Sequence, residues 1–143
     1  MRLRHVREAG SASLEVVILT PSLLALLALL VVAGRIAVAG NGVEQAADEA
    51  ARSASISRSA AGARHAAEEG ALGALAEQGL RCADVAVVVD TGGFAVTVGA
   101  PAHVRATVTC TVRLSDLGLP GLPGVRRVTA DAVSPLDTYR ERR

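Results

Sequence analysis

Four residues near the N-terminus have types and a spacing that could do chemistry. Gly10 and Ser11 form a small-residue junction opening the stretch GSASLE, Glu15 follows five residues after Gly10, and Pro21 six after that. A carboxylate at the margin of a long apolar run costs a few kcal/mol less than one at its centre. One reading of Glu15 is an interfacial side chain reaching for the headgroups. Pro21 removes a backbone donor and crowds the carbonyl of Val17, which weakens one helical turn. Thr20 and Ser22 flank it, and their hydroxyls can help satisfy that carbonyl. This points to a flexible position or to a kink without a role.

The remaining reactive types are few. Cys82 and Cys110 are the two cysteines. They form a disulfide if their part of the chain lies outside the cytoplasm, and are two buried thiols if it lies inside. No C-x-x-C spacing suggests redox chemistry. His5, His65 and His103 are scattered; His65 stands beside Glu68 and Glu69 with no second His nearby, so a solvated surface is expected rather than a metal site. DTGG (90–93) has the look of an aspartic-protease DTG, but a hairpin turn explains it better, since that motif needs a second copy and a much larger fold. No Ser/His/Asp order, phosphate loop or paired-carboxylate constellation stands out. The expectation is no enzyme, no metal and no cofactor.

Composition sets the frame for these residues. The chain has 143 residues, enough for one modest domain and an anchor. Half of it is hydrophobic, but with one Phe, one Tyr and no Trp any core must pack small side chains closely. A net charge of +1 and the lack of a basic stripe or stacking aromatics argue against a nucleic-acid partner. No small-molecule substrate is suggested.

Between Glu15 and Arg35 no charged residue occurs. Val16 to Gly34 would span roughly 28 Å as a helix, close to the thickness of a hydrocarbon core. Arg2, Arg4, His5 and Arg7 precede it against a single Glu8, which predicts a cytoplasmic N-terminus and an exported remainder. Three fates fit. One is a secretory signal peptide cut near AVAG, where Ala37 and Ala39 make a small-x-small site. The second is an uncleaved single-pass anchor. The third is a cut on the cytoplasmic side that keeps the apolar helix.

The third has a specific resemblance. A short basic leader, Gly10, SASLE with Glu15 in fifth place after Gly10–Ser11, and an early Pro21 in EVVILTP resemble type IV prepilins. They are most similar to the TadE-like family of tight-adherence (Flp) pilus-assembly proteins, best over residues 10–57. The resemblance implies a minor pilin or pseudopilin cut by prepilin peptidase after Gly10. It implies that Glu15 pairs with the new Ser11 amine of a neighbouring subunit. The implied partners are the membrane, other pilins or pseudopilins, and pilus-assembly membrane proteins. The rival class is a secreted or membrane-anchored extracellular binding domain, which has no need of the Gly10–Glu15–Pro21 spacing.

Downstream, Ala47, Ala50, Ala51 and Ala54, led by Val43, follow helical spacing, with Glu44, Gln45, Asp48, Glu49 and Arg52 opposite. The first helix is therefore expected to continue as a stalk to about residue 57 and to break in SISRSAAG. A second helix over about 63–78 should turn Ala66, Ala67, Leu72, Leu75 and Ala76 inward and end at Gly79.

Strand signals follow. CADVAVVVD (82–90) reads as a buried strand, TGG as a tight turn, and FAVTV (94–98) as its hairpin partner. In 102–114, Val104, Ala106, Val108, Cys110, Val112 and Leu114 alternate with His103, Arg105, Thr107, Thr109, Thr111 and Arg113, a half-buried antiparallel strand with one wet face. LPGLPG forms a loop, and 125–133 gives a fourth strand before Pro135. Asp137, Tyr139 and Arg140 lie in a polar tail that is solvated or meets a partner subunit. The predicted fold is α+β and pilin-like: a long transmembrane and stalk helix plus a second helix on a small antiparallel sheet of about four strands. Its divisions are leader 1–10, first helix 11–57, second helix 58–80, exported sheet 81–135 and tail 136–143.

Overall fold

The computed structural model describes residues 8–113, 115 and 124–141, with side chains from Val16 onward. The basic leader residues Arg2, Arg4, His5 and Arg7, Leu114, and nearly all of LPGLPG lie outside the described residues. Helix α1 (Glu8–Ser55) and helix α2 (Ala60–Glu77) precede strands β1 (Cys82–Asp90), β2 (Ala102–Arg113) and β3 (Val125–Leu136). Two compact units are delimited, Met1–Arg35 and Ile36–Arg143.

In the second unit, local chemistry explains where the helices stop. α1 ends at Ser55, slightly before the expected boundary. The serines after Arg52 compete for helical carbonyls: Ser55 Oγ donates to the Arg52 carbonyl at 2.8 Å and Ser57 Oγ to that of Ser53 at 3.4 Å. Ser59 then caps α2 from an extended backbone, its hydroxyl accepting from the Gly62 N–H at 3.1 Å. That cap starts α2 three residues before the expected position. At the other end, Gly79 takes φ +66°, the Gly79 N–H bonds the Ala76 carbonyl, and the Leu80 N–H bonds the Leu75 carbonyl. These paired bonds form a Schellman C-cap, which favours a glycine at that position.

The sheet has three strands in the order β1-β2-β3, both pairs antiparallel, so the expected fourth strand is corrected. FAVTV is not a strand. Asp90 Oδ1 accepts from the Gly92 N–H at 2.9 Å, and Gly92–Ala95 forms a 3-10 turn that drives Phe94 into the core. Gly93 passes so close to β2 that a Cβ there would lie 2.1 Å from the His103 carbonyl oxygen. Val96 and Val98 stay exposed. β1 pairs along one edge with β2, from Cys82 opposite Val112 to Asp90 opposite Arg105, and the turn after it takes Phe94 into the core instead of back along the other edge. DTGG therefore makes a 3-10 turn rather than a hairpin.

Two further strand expectations change. β1 is not buried on both faces: Val85, Val87 and Val89 are half-buried and Ala86 and Val88 exposed, the pattern of an edge strand. β3 runs through Pro135 to Leu136, with Pro135 opposite His103. Edge position makes this tolerable, because a missing N–H on the open side breaks no ladder bond. β2 follows its alternation, with Val104, Ala106, Val108, Cys110 and Val112 all buried.

Small residues build the core. α1 contributes Ala39, Val43, Ala46, Ala47, Ala50, Ala51 and Ala54, and α2 contributes Ala63, Ala67, Ala71 and Leu75. The α2 stripe recurs every four residues and omits three expected members: Ala66 is half-buried, and Leu72 and Ala76 are exposed. Close approach of the helices selects it. A Cβ at Gly70 would stand 2.8 Å from Ser53 Oγ and 3.3 Å from the Glu49 carbonyl oxygen of α1. Leu72, two positions on, falls on the other side of the helix. Gly42 of α1 likewise leaves room for Leu80. Ser134 Oγ donates to Ser55 Oγ at 3.0 Å, and Arg140 Nη1 to the Ile56 carbonyl at 2.7 Å, tying β3 and the tail to the end of α1.

Cys82 and Cys110 form a disulfide between β1 and β2, Cα–Cα 5.4 Å, beside a register shift between Cys82 and Asp84. The bond closes a loop of sequence separation 28. Replacing both cysteines by serine is expected to cost about 3–4 kcal/mol on the chain-entropy estimate, read as a lowered melting temperature by circular dichroism of the full chain in detergent. The same melt distinguishes two glycines of α2. Gly70→Leu should destabilise by about 1–3 kcal/mol through overpacking against α1. Gly73→Ala, where a Cβ meets nothing within 4 Å, should stabilise by roughly 0.5–1 kcal/mol.

Candidate functional site

Among the described side chains of the N-terminal unit none is buried. From Val16 to Val31 its large apolar side chains are about half exposed or more, Leu27 at 49% and Val17 at 70%. The most apolar window of this helix has mean hydropathy 2.8, and none of it is buried. Exposing so many Leu and Val side chains to water is unfavourable, by roughly 25 cal/mol for each Å². A helix long and apolar enough to cross a membrane accounts for the composition.

Gly10, Ser11 and Glu15 all fall in the first turns of α1. Five residues on a helix advance roughly 7.5 Å, so Glu15 lies about one and a half turns beyond Gly10. The side chains of these three are outside the described set.

Around Pro21 the helix continues unbroken, with the hydroxyls arranged differently from the expectation. Thr20 Oγ1 donates to the Val16 carbonyl at 2.6 Å and Ser22 Oγ to the Ile18 carbonyl at 3.4 Å. Each bonds the carbonyl four residues before it, so the two brace the turns on either side of Val17 rather than Val17 itself. Val16, Leu19, Thr20, Ser22, Leu23 and Leu26 line a shallow apolar recess at this point. Its small floor comes from Thr20 and Ser22 among Leu and Val, a shape suited to close approach by another helix.

The other candidates stay apart. His65 Nδ1 lies 3.3 Å from Glu69 Oε2, with both side chains more than 70% exposed, an ordinary i, i+4 surface contact. His103 is at the start of β2, far along the chain from that pair. Among the described residues no group of three His, Cys, Asp or Glu side chains could hold a metal ion. In the tail, Tyr139 is exposed, and its N–H is held by Asp137 Oδ1 at 3.0 Å. Arg140 turns back to cap α1 through the Ile56 carbonyl. The sequence offered one signal for that contact, a guanidinium and a polar helix end, but nothing to join positions so far apart.

Comparison with known proteins bears on the N-terminal segment. A family model described as "TadE-like protein" matches residues 10–52. The matched stretch contains Gly10, Ser11, Glu15, Pro21, the whole apolar span and most of the Ala stripe of α1. No curated protein and no solved structure matches the chain. Over residues 10–52 this chain is similar to the TadE-like family.

Proposed function

We propose that the chain is a minor pilin or pseudopilin of a tight-adherence (Flp) pilus or secretion machine. Similarity to the TadE-like family supports involvement in the assembly of such pili among pilus-assembly membrane components. The observation that carries the finer reading is a coincidence of position. The match at residues 10–52 contains an apolar helical span whose most apolar window is unburied among the described residues.

In this reading the N-terminus stays in the cytoplasm, held by the basic leader, and the sheet is exported. Prepilin peptidase cuts between Gly10 and Ser11. The Ser11 ammonium then meets Glu15 of a neighbouring subunit in a lipid-like medium, where each is the best partner the other can find. A carboxylate at the edge of the span is less costly than one at its centre, so the subunit can wait in the membrane before assembly. Pro21 supplies a weakened turn. The disulfide suits an exported, oxidised location. A secreted domain with a conventional signal peptide is the second reading. A cut after Ala39 would sever α1 and remove Ala39, a buried residue of the core, which favours the first.

The mature N-terminus tests this directly, by intact mass of the membrane fraction from the native host. A chain starting at Ser11, lost when Gly10 or Glu15 is altered or the peptidase deleted, is expected. A chain starting near Gly40 in the medium would establish the secreted domain, and an uncut chain would leave a permanent anchor. The weakened turn is read separately. Pro21→Ala restores a donor to the Val17 carbonyl and should slow amide exchange across that turn by about tenfold or more in detergent micelles. Unchanged exchange would remove flexibility from the account of Pro21.

A further inference from the structure

β1 and β3 are both edge strands. Among the described residues each is bonded through its backbone to β2 alone, which leaves one open edge on either side of the sheet. Open edges invite pairing, and sequences usually blunt them with charge, proline or bulges. β1 is barely blunted: its stretch DVAVVVD has no proline and carries charge only at Asp84 and Asp90. β3 has the opposite charge at one end, Arg126 and Arg127, and its Asp131 is taken by Arg105 of the same sheet at 2.7 Å. We propose that these edges are complementary: β3 of one copy pairs with β1 of the next, and the sheet continues head to tail from subunit to subunit.

The register supplies the argument. Both edge strands run antiparallel to β2, so they are parallel to each other, and a neighbour in the same orientation presents β1 parallel to β3. Asp84 stands opposite Thr111 and Thr111 opposite Arg127, so the three share one row across the sheet. Continuing that row into a second copy places its Asp84 beside Arg127 on the same wet face. The next row is apolar throughout: Val85, Cys110 and Val128. Two rows further on, Val87, Val108 and Ala130 repeat this on the core side. Half-buried Val85 and Val87 would thus meet half-buried Val128 and Ala130. Pro135, opposite His103, lies beyond the last row that β1 reaches, at Asp90–Arg105–Val133.

The symmetric alternative is disfavoured by the same charges. Pairing the DVAVVVD stretch of β1 antiparallel with its copy centres on Val87. In the centred register Asp84 faces Asp90 twice, and like charges directly opposite are destabilising. A β3-to-β1 contact uses two different surfaces, so it does not close on itself as a dimer and generates a ring or an open array. The pairing rests on the sheet alone. Failure of the cut at Gly10 would leave it standing, and its own failure would leave the processing intact.

Cross-linking of the full chain in membranes tests it. The described cysteines are all in the disulfide, so one added thiol per chain is a clean reporter. Ala86→Cys in one chain and Thr129→Cys in another, which share a row and are both exposed, should cross-link under mild oxidation only when co-expressed. Cross-linking by Ala86→Cys alone would show β1 meeting β1 and overturn the proposal, as would no cross-link from the mixture when both chains melt like the parent. Adding Asp84→Arg to the first chain should lower the yield roughly two- to five-fold, the scale of one cross-strand charge pair. Adding Arg127→Asp to the second should restore it. Yields indifferent to both reversals would also overturn it.

Discussion

The second unit depends on how closely two helices can approach over a core with one aromatic residue. At Gly70 the backbone of α2 comes near enough to α1 that even a methyl group would crowd Ser53 and Glu49. Interiors stay dense only when neighbouring surfaces interdigitate. With Ala as the main currency of both helix faces, density comes from proximity rather than from large side chains. The Ala63–Ala67–Ala71–Leu75 stripe, the room left at Gly42 for Leu80 and the burial of Val104 and Val108 all follow from that choice. A core so poor in large side chains gains correspondingly from a covalent link between its first two strands.

α1 shows the same logic in two solvents. Its early part carries Leu, Val and Ile that are exposed among the described residues, and its later part carries Ala that is almost completely buried. In a water-soluble protein the larger apolar residues would be the buried ones. The inversion fits a first part long and apolar enough to cross a membrane and a second part packed against protein. Lipid tails reward large apolar side chains, whereas packing of backbone against backbone rewards small ones.

The sheet is asymmetric too. One face is closed by the two helices, while the other presents Thr107, Thr109 and Thr111 between charged neighbours, with the Thr109 and Thr129 hydroxyls 3.0 Å apart. A three-stranded sheet always has two edges, and here neither is covered by a helix-borne backbone partner among the described residues. Acidic charge on β1 and basic charge on β3 give those edges different identities, which a sheet of this size needs if it is to associate in one direction only.

Sequence alone determined whatever depends on short-range periodicity. The apolar span, the Ala stripe of α1, the inward residues of β2 and the glycine ending α2 were all legible, because each follows from a period of 3.6 or 2 or from one conformational preference. The TadE-like resemblance was legible for the same reason, since Gly10, Glu15 and Pro21 lie close together in the chain. Tertiary structure alone decided what depends on competition between distant segments. FAVTV has a strand's alternation, but a 3-10 turn takes its Phe94 into a core that distant segments build. Pro135 joined β3 because that strand lies at an edge, and Leu72 was turned outward because Gly70 had to face α1. Propensity acts within a few residues, whereas each of these outcomes was set by a partner tens of residues away.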